Sequence, residues 1–316
     1  MLQKIAEVIK NNKNIIEKKE INPIVEYVDK NSYKSNRIFS DIGEDSAAIK
    51  NNETYVLVTT DRIRTDFIEN FPFGAGFSSI LVGIDDIFAC GGIPLAASLI
   101  LSFVNKEVGQ KIIEGVCKGS QAFQIPIIRG HTNVRSKCYE LSTTIIGEIK
   151  KENYISARNA KVGDCILLAV DFDGKVGNAS KLYWDTVTFK SSEDILRKRK
   201  AMNIIAENRL ANASKDISNG GIFGTLLQLA NYSKVSANVN INKINIPPKL
   251  LKANYSLEMY IQMYLTTSFI LTASSENCEQ IISIFKKHGM RANIIGKIIK
   301  EPMMKINDGK DIINVI

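Results

Sequence analysis

Four short stretches of this 316-residue chain place an aspartate at a turn or beside glycine: "DIGEDSAAI" (41–49), "VTTDRI" (58–63), "GIDDIFACGG" (83–92) and "KDISNGG" (215–221). Aspartate is a common N-cap and turn residue, so each stretch alone has a purely structural reading. Two of the aspartates fit that reading poorly. Asp61 follows a strongly apolar strand pattern, and ligands of α/β folds gather at the carboxyl ends of strands. Asp86 lies in a helical pattern whose apolar face is Ile80, Leu81, Ile84, Ile87 and Phe88, and at ~100° per residue it points away from that face. Its flanks, Val82, Gly83, Ala89 and Cys90, are small or apolar, so another surface can approach closely. It also stands in the last turns, where the helix macrodipole disfavours negative charge. A bound cation would answer all three objections.

Several carboxylates without a histidine cluster favour a hard, oxygen-liking ion, and Mg²⁺ held by aspartates and substrate phosphates is the usual case. The chain has only His131 and His288, and its cysteines (Cys90, Cys117, Cys138, Cys165, Cys278) show no zinc or redox spacing. They read as reduced, mostly buried side chains. Neither GxxxxGK[ST] nor GxGxxG is present, which excludes a P-loop and a Rossmann nucleotide site.

The elements that must carry these residues alternate. "TYVLVTTD" reads as a strand, 76–92 as a helix stopped by glycines, and "LAASLILSF" as a strand. A helix over about 107–123 and the strands "IPIIRGHT" and "YELSTTIIGEI" follow. Near 150 the polar "KKENYISARNAKVGD" suits a domain boundary, which divides the chain into residues 1–152 and 153–316. The second part repeats the mixture: the strand "CILLAVDF", helices at about 193–212 and 221–231, strands "SANVNI" and "TTSFILTAS", and a helix at about 276–288. Two α/β domains are therefore expected.

Hydrophobic residues make up 45% and charged residues 23%, the balance of a soluble globular protein, and no apolar stretch approaches a membrane span. The first twenty residues read as an amphipathic surface helix without a signal-peptide core, so cytoplasmic residence is the expectation. Forty-one basic against 33 acidic residues give +8, but the densest basic cluster, "LRKRKA" at 196–201, has no interleaved aromatics. It reads as a solvated helix face and excludes nucleic acid as the expected partner, while a mildly basic surface suits a phosphorylated substrate.

In order, "GEDSAAI", "TTD", "GFSSILVGIDDIFACGGIPLA", "RGHT" and "KDISNGG" resemble the aminoimidazole ribonucleotide (AIR) synthetase superfamily over nearly the whole chain. That superfamily includes thiamine monophosphate kinase, selenophosphate synthetase and a hydrogenase maturation protein. The specific part is Asp-Ile-x-Ala-x-Gly-x-x-Pro, here Asp86, Ile87, Ala89, Gly91 and Pro94. The resemblance implies two α/β domains and a homodimer whose N-terminal strands combine into a barrel. It also implies ATP, with its phosphates held through Mg²⁺. By motif position, Asp45, Asp61 and Asp86 would be metal and phosphate ligands, and Asp216 would approach from the second domain as a ligand and catalytic group. "RGHT" matches a family turn near the reacting phosphate, which would bring in Gly130 and Thr132 as binding groups and His131 as a catalytic one.

The shared chemistry is ATP-dependent activation or phosphorylation of a small metabolite, which rests on positioning and on neutralising phosphate charge. Residues 1–54 contain no selenophosphate-synthetase cysteine, the chain ends "DIINVI" without a cysteine tail, and no histidine follows "TTD" as in thiamine monophosphate kinases. The second half looks most like archaeal AIR-synthase-related proteins known as a methanogenesis marker. Thiamine monophosphate kinase is the nearest enzymatic alternative, and a non-catalytic ATP-binding assembly or regulatory protein the other. Asp85 sits where relatives carry Asn or Ser, and so would stand behind Asp86 or face the substrate. The Asn/Lys-rich 29–40 stretch is the expected cover of the site, being polar and just before the first acidic motif.

Overall fold

The computed structural model describes residues 1–315, apart from the side chains of Lys19 and Asn22. The chain opens with α1 (Leu2–Lys10) and α2 (Lys13–Asn31), the latter started by Asn12, whose side chain accepts from the Asn14 and Ile15 amides. Then come β1 (Ile38–Ser40), β2 (Ala47–Asn51), β3 (Thr54–Arg62), α3 (Thr65–Asn70), α4 (Pro72–Ala89), β4 (Ile93–Ser102), α5 (Lys106–Phe123), β5 (Ile127–Asn133) and β6 (Glu140–Lys150). These strands form one mixed sheet in the order β1-β2-β3-β6-β4-β5.

Helices α4 and α5 cover one face of that sheet. They meet backbone to backbone, because a Cβ at Gly76 would fall 2.1 Å from the Ile112 carbonyl oxygen and one at Gly115 would fall 2.0 Å from that of Phe73. No residue larger than glycine permits that approach. Helix α4 is the one described helix long and apolar enough to cross a membrane, yet most of it is buried inside the fold.

The second half holds β7 (Cys165–Val170), β8 (Lys175–Val176), β9 (Tyr183–Asp185), α6 (Ser192–Glu207), β10 (Ala213–Asp216), α7 (Gly221–Tyr232) and β11 (Ser236–Asn240). It continues through α8 (Pro248–Lys252), α9 (Leu257–Tyr260), β12 (Tyr264–Leu265), β13 (Ser268–Ala273), α10 (Cys278–Lys287), β14 (Arg291–Ile299), β15 (Lys305–Asn307) and β16 (Ile312–Asn314). Its main sheet runs β10-β13-β7-β14-β11-β15-β16, with a small β12-β9-β8 sheet beside it. The expected α/β class and the mixed sheets are both present.

One core joins the first sheet, α4, α5, α6 and α10, and a second lies on the other face of the second sheet around α7. Helix α1 belongs to this second core: Leu2, Ile5, Ala6 and Ile9 are buried there. The N-terminal residues are thus a packed helix of the C-terminal half, where sequence reading placed a surface helix of the first domain. The halves are also tied through α6. Asn203 Nδ2 donates to the Gly91 (3.0 Å) and Gly92 (2.7 Å) carbonyls at the end of α4, and Ser214 Oγ donates to the Ala89 carbonyl. Gly91 holds φ +79°, the left-handed turn that ends α4.

Candidate functional site

Asp45, Asp86 and Asp216 come from three separated motifs, yet each offers a carboxylate oxygen within 4.8 Å of the others. The turn before β2 supplies Asp45, the last turn and a half of α4 supplies Asp86, and the end of β10 supplies Asp216. The cluster therefore sits between the halves of the chain. Asp61, in β3, lies against Asp86, and its Oδ2 is buried with no hydrogen-bond partner among the described residues. Asp86 is held by Thr59 Oγ1, which donates to its Oδ2 at 2.5 Å. Burial, and then the charges of Asp61, Asp216 and Asp45, push the Asp86 carboxyl well above the ordinary range. Burial and then Asp45 do the same to Asp216. Four carboxylates so close destabilise one another as anions, and a divalent cation removes that cost.

Two lysines stand at the cluster's edge. Lys215 pairs with Asp45; burial works against its charge, but the Asp45 carboxylate outweighs that and holds its pKa above the ordinary value. Lys18 of α2 donates to Ser218 Oγ and Gln228 Oε1, both at 2.8 Å, and burial followed by the Lys215 charge lowers its pKa. The loop carrying Asp45 is pinned by its neighbour: Glu44 accepts from Ser40 Oγ (2.7 Å), Ser156 Oγ (2.5 Å) and the Ala157 amide (2.7 Å). Gly43, at φ +94°, lies against the Tyr232 ring of α7, where a Cβ would clash at 2.4 Å.

Asp85 differs from its neighbour. It is buried, and Arg199 of α6 meets it with both nitrogens of the fork, Nε at 2.6 Å and Nη2 at 3.1 Å, while the Thr267 amide adds a bond at 3.4 Å. It is an anchor between the halves. Arg199 and Lys198 are 0% and 3% exposed, which corrects the reading of "LRKRKA" as a solvated face. Lys198 pairs with Asp171 (2.8 Å) and Asp194 (2.8 Å). Charge composition cannot distinguish a solvated helix face from one paired across an interface.

Gly130, His131 and Thr132 lie on β5, the exposed edge of the first sheet. Asp61, Thr143, Leu99 and Gly130 form one cross-strand row, and Arg62, Ser142, Ile100 and His131 form the next. Successive rows face opposite sides, so His131 projects on the open face, away from Asp61. The structure brings the aspartates together and leaves His131 apart. Residues 29–40 finish α2 and form β1 against β2, while the first half of α2 brings Lys18 to the cluster. Lys18 carries no sequence signal; Lys215 could have been suspected from its place beside Asp216.

The model for the AIR synthase related protein N-terminal domain matches residues 43–149, and that for the C-terminal domain matches 161–309. An uncharacterised protein of Methanocaldococcus jannaschii is 35% identical over 98% of this chain and 95% of its own. The thiamine-monophosphate kinase of Buchnera aphidicola is 26% identical over 88% of this chain and 90% of its own. A selenide, water dikinase of Nitratidesulfovibrio vulgaris is 26% identical over 66% of this chain and 61% of its own. Among solved structures, AaThiL complexed with AMPPCP and TMP superposes with a TM-score of 0.69 at 19% identity, covering 92% of this chain and 94% of that one. T. maritima PurL complexed with ATP gives 0.71 at 14% identity, with 85% of this chain matching 44% of that longer one. Two matched domain models, a full-length relative and a shared fold lead to one assignment: the chain belongs to the AIR synthase related family and has the AIR synthetase-like fold.

Proposed function

We propose that this protein binds ATP through Mg²⁺ at the Asp45–Asp86–Asp216 cluster and transfers or activates a phosphoryl group on a small-molecule acceptor. The observation that carries the reading is the convergence of three motif carboxylates on one point, with the orphaned Asp61 oxygen beside them. The donor set fits a hard cation, since it is all carboxylate oxygen. Asp45, Asp86 and Asp216 would hold Mg²⁺, with Asp61 beside Asp86. When bound, the ion would neutralise charge on the phosphates. The chain's own part is to aim these groups. Thr59 orients Asp86, Glu44 fixes the Asp45 loop, and Lys18 and Lys215 offer positive charge beside the carboxylates. Named relatives support a phosphotransfer chemistry, being a kinase and a dikinase, and AaThiL and PurL are structures with AMPPCP and with ATP.

In this reading the active form is a homodimer. Ile93, Ile100, Ile128 and Val134 are about half exposed around the unpaired β5 edge, an apolar surface a second copy would cover. The β5 edge carrying Gly130, His131 and Thr132 borders that zone, with His131 on the open sheet face, while Asp216 would act at the cluster. The test is titration of Mg²⁺ and AMPPCP into the wild-type chain and Asp86→Asn. The wild type should bind the nucleotide only with Mg²⁺. The variant, relieved of like-charge repulsion, should melt no lower yet lose Mg²⁺-dependent affinity by at least about tenfold, roughly 1.4 kcal/mol. Unchanged affinity would sink the metal assignment.

A further inference from the structure

A cavity of about 590 Å³ lies between the 152–161 segment that links the halves and the 206–212 turn from α6 into β10. That volume suits a small metabolite, and none of the four aspartates lines it. Its charge is lopsided: Arg158, Lys161 and Arg209 line it against one carboxylate, Glu152. Glu152 is met by Arg209 at 3.3 Å, whereas Lys161 has no carboxylate partner among the described residues. Arg209 holds φ +52° in the turn that ends α6, its amide donating to the Ala206 carbonyl at 2.9 Å. Glycine is the usual residue in that left-handed position, and any larger side chain is held there against backbone strain. The chain keeps an arginine at that point of the cavity wall, and the planar fork of arginine suits a phosphate.

The same wall clamps the loop of Asp45. Tyr154 Oη donates to the Ser46 carbonyl at 3.2 Å and Arg158 Nη2 donates to that of Ile42, while Ser156 Oγ and the Ala157 amide hold Glu44. Asp45 is thereby bracketed on both sides by bonds from residues 154–158. The Ile155 amide donates at 3.1 Å to the carbonyl of Cys90, the cap of the helix that carries Asp86. On the opposite wall, Asn212 leads directly into β10, which ends in Asp216. One cavity thus borders the supports of all three clustered aspartates. We propose that it binds a small phosphate-bearing molecule, separately from the aspartate cluster, and that the occupant steadies the Asp45 loop by fixing the wall that holds it. This assignment does not rest on the nucleotide reading above.

The experiment titrates AMP, glycerol 3-phosphate and inorganic phosphate into the full chain in EDTA, by calorimetry. It compares the wild type with Asp86→Asn and with the double variant Lys161→Gln, Arg209→Asn. Asparagine tolerates the left-handed turn at 209, so the double variant should melt with the wild type. The wild type should bind at least one of the two esters more tightly than inorganic phosphate. The double variant should bind that ester at least about tenfold more weakly, and Asp86→Asn no more weakly than the wild type. In the wild type, saturating ester should slow amide exchange of residues 41–48 at least about threefold and leave α10 unchanged. No ester binding, binding of inorganic phosphate alone, an unaffected double variant, or an equal loss in Asp86→Asn overturns the site. Slowing of both segments alike, or of neither, overturns the link to the Asp45 loop.

Discussion

Asp85 and Asp86 are adjacent in sequence and opposite in role. One closes an ion pair with Arg199, and the other joins a carboxylate cluster and accepts from Thr59. A 100° rotation between successive helical positions is enough to send one aspartate to a neighbouring helix and the other to the site. Lys215 shows the same contrast within one motif. It neutralises Asp45, while Asp216 beside it in sequence is left among carboxylates. Lys215→Met should therefore strand a buried negative charge and destabilise the metal-free chain by about 3 kcal/mol. Under the proposed metal site, millimolar Mg²⁺ should restore part of that stability, because an ion held by the assembled cluster would favour the folded state. Denaturant melts with and without Mg²⁺ check both parts, and an unaltered metal-free midpoint would count against the pair.

At the scale of elements, α6 decides how the halves sit. Its Arg199 reaches Asp85 of α4, its Asn203 caps the end of α4, and its Lys198 reaches Asp171 just after β7. Arg199→Ala should cost about 3–5 kcal/mol, since it leaves Asp85 charged and buried without its partner. Adding Asp85→Leu to the variant should recover much of that loss, and a double-mutant cycle in urea measures the coupling. The same helix carries an acid-sensitive contact. Burial works against the charge of Asp194, but hydrogen bonds from Lys198 and Arg197 outweigh it and hold its carboxyl at about 2, against an ordinary 3.8. A carboxyl depressed by folding contributes stability that is complete above its unfolded pKa and is lost as pH falls through the folded one. The wild type should lose stability from about pH 4 down to about 2. Asp194→Asn should show a shallower acid limb over that window in pH-dependent melts.

Across the whole molecule, the first sheet has one face under α4 and α5 and another left partly open. Ile100 is 47% exposed on that open face, in the same cross-strand row as His131. In the proposed homodimer a second copy would cover this apolar surface. The chain should therefore run in light scattering at twice its 35.1 kDa mass. Ile100→Glu should shift it to the monomer with its melting cooperativity intact. A wild-type monomer at micromolar concentration would reject the dimer.

What the sequence determined alone is what short-range pattern can carry. Alternation and helical period set out the α/β elements, and the glycines around α4 and after β10 marked its stop and a tight loop. The four aspartates are what led to the hard-cation proposal, which the Mg²⁺ titration tests. Only tertiary structure decided which charges meet. Asp45, Asp86 and Asp216 are joined by crossings of 41 to 171 residues of chain, read from their numbers. Lys18 reaches the cluster because α1 is buried in the second core and carries α2 with it. The basic face of α6 is buried because α4 offers it Asp85. Periodicity records whether a residue is apolar; it holds no information on which partner compensates a charge, and that difference separates the elements legible in the sequence from the site that was legible only in part.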